Sequence, residues 1–239
     1  MDENLKIDQH TSQRYNAELE ELRSRVLAMG GLVERQCQRA LEALVKGNAE
    51  LASAVVAGDY EVNDLEVEIG DKCTDILARR QPAAGDLRMI VAIIRMTSNL
   101  ERVGDEAAKV GRMARKLADV RDREAYVGEP QHLGEGVLEM LRDAMDAFAR
   151  LDVQLAVATI ARDLEIDREF KSLTRLLISH MMEQPQRVKN MLRVNSCARA
   201  LERIGDHAVN LCEEVVYLVR GADVRHLSVE EIVQRHQPR

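Results

Sequence analysis

The stretch Leu100-Glu101-Arg102-Val103-Gly104-Asp105 occurs a second time as Leu201-Glu202-Arg203-Ile204-Gly205-Asp206, 101 residues further along the chain. Around each copy, apolar and small residues recur at alternating intervals of four and three, the spacing found in helical bundles. These seam residues are Ile93, Thr97, Leu100, Gly104, Ala107, Gly111 and Ala114 in the first copy and Val194, Ala198, Leu201, Gly205, Ala208, Cys212 and Val215 in the second. The repeat predicts two equivalent helices, one in each half of a duplicated chain.

Helical periodicity continues through most of the remaining sequence, and no segment alternates like a strand. It predicts six helices, at about 14–46, 48–80, 86–118, 137–151, 152–183 and 186–220. Residues 119–136 are charged and contain three glycines and Pro130, which predicts a linker. The expected fold class is therefore all-α, a tandem duplication of a three-helix bundle with six long helices. The two bundles are expected at residues 1–123 and 124–239.

The composition excludes several classes of protein. Of the 239 residues, 46% are hydrophobic, which is enough to bury a core. A formal net charge of −7 and an aromatic content of 3% argue against nucleic acid as a partner. The sequence has no apolar run of about 18 residues that could span a membrane. A polar, acidic N-terminus and four cysteines without a C-x-x-C pair favour a reducing cytoplasm.

Each copy of the motif holds two acidic residues four positions apart, a spacing that places both side chains on one helix face. The preceding helix of each half holds a comparable pair. The four pairs are Glu101 with Asp105, Glu202 with Asp206, Asp163 with Asp167, and Asp59 with Asn63. If adjacent helices turn these pairs toward each other, their oxygen atoms suit hard cations such as Mg²⁺, Mn²⁺ or iron.

The same residues have a simpler interpretation, because helical acidic residues are usually solvated or paired with Lys and Arg. Arg102 and Arg203 adjoin the two motifs. The sequence contains neither a phosphate-binding loop nor a nucleophile elbow, so no nucleophile or base can be named and we expect no enzyme. A carboxylate-site metalloenzyme and a metal-free helical scaffold remain as alternatives.

Three further stretches carry a family resemblance. They are Gln81-Pro82-Ala83-Ala84-Gly85-Asp86-Leu87-Arg88, Gly205-Asp206-His207-Ala208-Val209-Asn210 and Val215-Val216-Tyr217-Leu218-Val219-Arg220-Gly221. Together with the duplicated motif, they resemble the PhoU family, the accessory regulators of the bacterial phosphate-specific transport system. The resemblance covers roughly residues 15–227.

This resemblance implies two three-helix bundles, often assembled as a homodimer in the cytoplasm. It implies a negative regulator of phosphate uptake and of the phosphate-starvation response. Such an adaptor links the ATPase subunit of the phosphate ABC transporter to a sensor histidine kinase. It reaches the membrane only through these partners, and neither nucleic acid nor an organic cofactor is implied.

The resemblance also implies cations at the acidic motifs, since some members carry multinuclear iron or zinc there; Fe, Mn, Zn or Mg are the candidates. Carried over to this chain, the ligands are Glu101, Asp105, Asp59, Asn63, Glu202, Asp206, Asp163 and Asp167. Asn63 supplies no charge, so we expect the first-half site to bind metal more weakly. The residues expected to contact partners are Asp86, Arg88, Arg102 and Arg203.

Overall fold

The computed structural model describes residues 13–120 and 123–236, which form eight α-helices and one 3₁₀ turn and contain no strand. The helices are α1 (Gln13–Lys46), α2 (Ala49–Ala57), α3 (Asp59–Arg80), α4 (Ala84–Leu117), α5 (Glu124–Arg150), α6 (Val153–Glu183), α7 (Val188–Arg220) and α8 (Val229–His236). The 3₁₀ turn, Pro185–Arg187, leads into α7. The all-α expectation is confirmed, and six of the helices are long.

The two motif-bearing helices, α4 and α7, pack against each other more extensively than any other pair of helices described. Every residue of both predicted seams is buried. Helices α1 and α5 also meet across the two halves, and the buried apolar residues form one continuous cluster. The duplicated halves therefore share a single core centred on the α4–α7 contact.

The helix predicted at 48–80 is interrupted at Gly58. Asn48 caps α2, because its side-chain oxygen accepts a hydrogen bond of 2.9 Å from the Leu51 N–H. The Gly58 N–H closes α2 by donating to the Ala54 carbonyl, and α3 begins at Asp59. In the second half Arg162 stands at the equivalent position, and α6 runs through it without a break. The interruption places Asp59 at the start of a helix.

The linker predicted at 119–136 is wrong for most of its length. Residues 121 and 122 lie outside the described part, but α5 already begins at Glu124 and runs through Pro130. Pro130 is the seventh residue of α5, beyond the four whose N–H groups have no partner within the helix, so it removes one helical hydrogen bond. Tyr126, Val127 and Leu133 are buried on the core side, so their packing stabilises this first part of α5.

The last helix, α8, was not predicted. It begins with a reciprocal pair of bonds in which the Ser228 N–H donates to the Glu231 carboxylate and the Glu231 N–H to the Ser228 hydroxyl. Ile232 is buried, and α8 packs on α6. Within the ranges that the structure describes, no helix combines the length and the apolar character needed to cross a membrane.

Candidate functional site

A groove between α4 and α7 brings the two copies of the motif together. It encloses about 350 Å³ and is lined by Arg102, Asp105, Glu106, Lys109, Arg203, Asp206 and His207. Four of these residues were predicted from the sequence as ligands or partner contacts. Positions 101 residues apart in the chain thus face a common space, because α4 and α7 are neighbours.

Glu106 connects the two helices at the floor of this groove. Its carboxylate is 95% buried and accepts hydrogen bonds from Lys109 Nζ at 2.7 Å and from Arg203 Nη1 at 3.3 Å. A buried carboxylate needs such partners, since an unpaired charge is costly away from water. Glu106 is not among the residues that the repeated motif predicts, because its counterpart in the second half is His207 and not an acidic residue.

His207 belongs to a second polar link between α4 and α7. Its Nδ1 lies 3.1 Å from Asn99 Oδ1, and the same oxygen accepts a hydrogen bond of 3.1 Å from Asn210 Nδ2. Burial lowers the pKa of His207, and the nearby Arg102 lowers it further. His207 is therefore neutral near pH 7.

The acidic residues of α6 and α7 lie near enough for their charges to interact, and one of them, Asp206, also lines the groove. Burial raises the pKa of Asp206 to about 6, with further increases from Glu202, Asp163 and Asp167. The pKa of Asp163 is also raised, first by burial and then by Asp167 and Glu202. The negative charges of Glu202, Asp163 and Asp167 thus add to burial in disfavouring the ionised form of Asp206. We call these four residues the second carboxylate cluster.

Basic side chains of the same chain partly neutralise the second carboxylate cluster. Arg199 Nη1 donates to Glu202 Oε1 at 3.1 Å, and its guanidinium lies 4.8 Å from the centre of the Phe170 ring. Lys171 Nζ donates to Asp167 at 2.6 Å. The second oxygen of Glu202 is buried and has no hydrogen-bond partner among the described residues.

In the first half, three other carboxylates act on Glu101, of which Asp59 and Asp105 belong to the predicted ligand set and Glu66 does not. The pKa of Glu101 is raised by burial first, and then by Asp105, Glu66 and Asp59. Asn63 is exposed, whereas Glu66, one turn later on α3, supplies the fourth carboxylate. We call Asp59, Glu66, Glu101 and Asp105 the first carboxylate cluster.

The side chain of Gln36 on α1 contacts the first carboxylate cluster through Asp59. Its side chain is 93% buried, and Nε2 donates to Asp59 Oδ1 at 3.2 Å and to the Val55 carbonyl at 3.4 Å. Its amide oxygen, Oε1, has no hydrogen-bond partner among the described residues. Gly104 makes room for both groups, since a Cβ there would lie 3.3 Å from Asp59 Oδ1 and 3.4 Å from Gln36 Oε1.

The two clusters offer oxygen atoms of the kind that hard cations take. In the arrangement described, no three His, Cys, Asp or Glu side chains already converge as a ready-made metal site within residues 13–120 and 123–236. Two buried oxygen atoms without partners, Gln36 Oε1 and Glu202 Oε2, show that each cluster has acceptor capacity left over. Metal binding at these positions stays a prediction.

The remaining two predicted contact residues lie away from the groove. Asp86 is buried beside the hydroxyl of Tyr15, whose pKa is raised to about 12 by burial and by Asp86. Arg88 packs against Gly221, where α7 ends. Asp86 and Arg88 thus connect the start of α4 to neighbouring helices, and Asp86 offers little surface to a partner.

Comparison with known proteins gives a consistent result along nearly the whole chain. A sequence model described as "PhoU domain" matches residues 26–114 and again 131–215. The phosphate-specific transport system accessory protein PhoU homolog of Pseudomonas putida is 47% identical over 231 residues, covering 97% of this chain and 90% of that protein. The accessory protein PhoU of Escherichia coli K12 is 39% identical over 230 residues, covering 96% and 95%.

Solved structures agree in fold. The crystal structure of PhoU from Pseudomonas aeruginosa superimposes with a TM-score of 0.85 at 46% identity, covering 87% of this chain and 100% of that one. The phosphate transport system regulatory protein PhoU from Streptococcus pneumoniae superimposes with a TM-score of 0.81 at 28% identity, covering 88% and 99%. The expected resemblance is confirmed in sequence and in fold.

Proposed function

Because the chain belongs to the PhoU family, we propose that it is an accessory regulator of a phosphate transport system. Proteins and solved structures similar to it carry the names of accessory and regulatory components of such systems. The observation that carries the proposal for this chain is the groove between α4 and α7. Both copies of the repeated motif line it, so it is the surface on which the duplication converges.

We further propose that the protein acts as an adaptor without chemistry of its own, on the cytoplasmic side of the membrane. It contacts the ATPase subunit of the phosphate transporter and a sensor histidine kinase. When phosphate is plentiful, this contact holds the kinase in the state that represses the starvation genes. The regulation is therefore negative, and loss of the protein leaves the genes expressed.

The groove is the docking surface in this proposal. Arg102, Arg203 and Asp105 are exposed and line the groove together with Asp206. Closely spaced charges of both signs select a partner whose charges are complementary, and they steer its approach. Exposed charges of this kind affect the rate of association and its salt dependence more than they affect the final affinity.

The test reverses the charge of the two exposed arginine side chains in the groove. Cells carrying Arg102→Glu/Arg203→Glu are grown in phosphate-rich medium, and the tagged protein is used to capture the transporter ATPase and the kinase. We expect capture to fall at least tenfold and the starvation genes to be expressed. Arg115→Glu, a change at an exposed position of α4 outside the groove, is the matched control and should retain both functions.

Normal capture and normal repression by the double variant, with its helical content and unfolding temperature preserved, would contradict the docking role of the groove. If the double variant still captures both partners but no longer represses the starvation genes, the groove acts in a step after docking. This result would also contradict the proposal. Salt titration adds a second check, since docking through exposed charges should weaken as ionic strength rises.

We also propose that the two carboxylate clusters bind divalent or iron cations, and that the protein forms a homodimer. The buried, unpartnered oxygen atoms Gln36 Oε1 and Glu202 Oε2 support the first idea, and so do the raised pKa values of Glu101 and Asp206, to which neighbouring carboxylates contribute after burial, because a cation would relieve that repulsion. Elemental analysis of purified protein tests it, with Glu202→Ala/Asp206→Ala as the variant expected to lose metal. Light scattering coupled to size exclusion tests the second, and a mass of about 27 kDa, the value for one chain, would contradict it.

A further inference from the structure

Three large apolar side chains are exposed at the end of the hairpin formed by α6 and α7. Met182 is 79% exposed, and Ile178 and Leu192 are each 52% exposed. The hydrogen bond of 3.3 Å from Thr174 Oγ1 on α6 to Asn195 Oδ1 on α7 fixes how the two helices lie side by side. Ile178 lies one turn beyond Thr174 and Leu192 about one turn before Asn195, so they occupy adjacent turns of the hairpin. Met182 follows one turn later, and we call Ile178, Met182 and Leu192 the apolar tip.

The same end of the molecule carries positive charge that no carboxylate compensates. Residues 175–193 contain four arginine and lysine residues and one acidic residue, in a chain whose formal net charge is −7. Arg175 and Lys189 are exposed, and neither forms an ion pair within the described part of the chain. Arg193 donates a hydrogen bond of 2.9 Å to the uncharged backbone carbonyl of Lys116. These three cations lie within one turn of the apolar tip along their helices.

The equivalent hairpin of the first half, formed by α3 and α4, differs in both respects. Residues 71–92 contain four basic residues and three acidic ones, so their charges nearly cancel. Arg79 at the end of α3 is ion-paired with Asp75 of the same helix. Two of the three positions of the apolar tip hold Thr74 and Ala78 there, 104 residues earlier in the chain. The combination of an apolar tip with uncompensated cations therefore belongs to the second half.

A lipid bilayer with anionic head groups matches this combination. Aliphatic side chains gain free energy when they leave water for the boundary of the acyl chains, while arginine and lysine reach the lipid phosphates. Each cation near such a surface strengthens binding about fivefold. None of the three apolar side chains is aromatic, whereas the binding energy of protein interfaces is concentrated in tryptophan, tyrosine and arginine. The surface is therefore suited to lipid rather than to an acidic protein.

We propose that the end of the α6–α7 hairpin binds directly to the surface of an anionic phospholipid membrane. The apolar tip enters the head-group region, and Arg175, Lys189 and Arg193 bind lipid phosphates. Such contact needs no partner protein, in contrast to the sequence-based expectation that the chain reaches the membrane only through partners. Arg203 in the groove lies ten residues after Arg193, about 15 Å along α7. The groove therefore stays outside the head groups, where a protein at the membrane can reach it.

The test measures by flotation how the purified full-length protein partitions onto lipid vesicles. We expect binding to vesicles of phosphatidylglycerol mixed with phosphatidylcholine and little binding to phosphatidylcholine alone. High salt should weaken the binding, because the cations are exposed. Arg175→Glu/Lys189→Glu should reduce the partition coefficient at least tenfold. Arg35→Glu/Arg39→Glu, which makes the same change in net charge at exposed positions of α1, is the matched control and should leave binding nearly unchanged.

Two further measurements test the apolar tip. Met182→Gln/Leu192→Gln should weaken binding about tenfold, whereas Tyr60→Gln/Val67→Gln, which changes two similarly exposed apolar residues of α3, should not. In Met182→Cys, an environment-sensitive dye on the new thiol should shift its emission to the blue when anionic vesicles are added. The four native cysteines are buried and do not compete for the dye. Far-UV circular dichroism and the unfolding temperature of each variant establish that the fold is retained.

An absence of binding to the anionic vesicles would overturn the proposal, and so would equal losses in the hairpin variants and their controls. Unchanged dye emission on vesicles that the protein does bind would overturn it as well, because another surface would then contact the lipid. If the wild type ignores lipid and the hairpin variants lower its mass in light scattering, the apolar tip joins two copies of the chain, which also contradicts the proposal. The vesicles contain neither transporter nor kinase, so each of these results would leave the docking role of the groove standing. Failure of the groove variants to affect partner capture would, in turn, leave the vesicle results unaffected.

Discussion

Arg203 on α7 donates a hydrogen bond to Glu106 on α4, with 3.3 Å between Nη1 and Oε1, and thereby joins the two copies of the motif through a buried carboxylate. The same carboxylate accepts a bond from Lys109 on its own helix. Helix α4 is therefore fixed to α7 by a polar contact as well as by its apolar seam. The first prediction concerns the strength of this contact.

Glu106→Ala should destabilise the protein. The change removes two charge-assisted hydrogen bonds, but both cations are more than a third exposed and can be solvated. We expect a loss of about 1–2 kcal/mol in the free energy of unfolding in urea. Glu42→Ala, which breaks an exposed pair with Lys46, is the control and should cost less than about 0.5 kcal/mol. Equal effects would show that the buried link adds nothing.

The second prediction concerns how the stability of the folded protein depends on pH. Asp206 has a pKa of about 6 in the folded protein and an ordinary value of 3.8. Between these values the folded chain binds more protons than the unfolded chain, so this group's contribution to stability falls as pH rises from about 4 to 6. Asp206→Asn should therefore raise the unfolding temperature, and by more at pH 7.5 than at pH 5.

The matched comparison for this experiment is Asp223, whose pKa Arg225 lowers to about 2. Its stabilising contribution is present above the ordinary pKa and disappears only as pH falls toward 2. Asp223→Asn should therefore lower the unfolding temperature equally at pH 5 and pH 7.5. A gain from Asp206→Asn that is the same at both pH values would contradict the repulsion inferred for the second carboxylate cluster.

The third prediction compares the two motif glycines. Replacing a mid-helix glycine by alanine gains up to about 1 kcal/mol of helix stability. Gly205→Ala should show a gain of this order, since the new Cβ meets only ordinary contacts. At Gly104 the Cβ approaches Asp59, Val62 and Gln36 within 3.3–3.4 Å, so the gain should be lost or reversed. Thermal unfolding of both variants measures the difference, and equal stabilisation would contradict the close approach at Gly104.

The fourth prediction concerns the division into residues 1–123 and 124–239. Both seams are buried in a shared core, so separating the halves exposes the apolar faces of α4 and α7. We expect the intact chain to unfold in one cooperative transition and each half alone to aggregate or lose helical content. Co-expression of the two halves should restore a folded complex. Two resolved calorimetric transitions, or stable monomeric halves, would contradict the shared core.

The sequence predicts α4 and α7 well, because the spacing of their apolar residues directly reflects which residues are buried. Both seams, Ile93 to Ala114 on α4 and Val194 to Val215 on α7, are buried as their spacing requires. At the start of α5 the glycines and Pro130 predict a linker, whereas the burial of Tyr126, Val127 and Leu133 stabilises a helix there. Helix α8 could have been found from the Ser228-x-x-Glu231 capping pattern.

The candidate site was harder to predict, for a physical reason. Reasoning from a repeat finds only residues that occur in both halves, such as Glu101 and Glu202. Gln36 and Glu66 have no acidic or amide counterpart, and they reach the first carboxylate cluster only because α1, α3 and α4 meet there. Such contacts depend on the tertiary packing of helices, which a single sequence does not reveal.

Because the opposing carboxylates of Asp105 and Asp206 belong to different helices, the distance between them is set by how α4 crosses α7. A larger or smaller residue at a seam position such as Leu100 or Leu201 would alter that distance while leaving every surface side chain unchanged. Natural variants with altered phosphate control can therefore be sought in the interior of the bundle, far from any group that a partner touches.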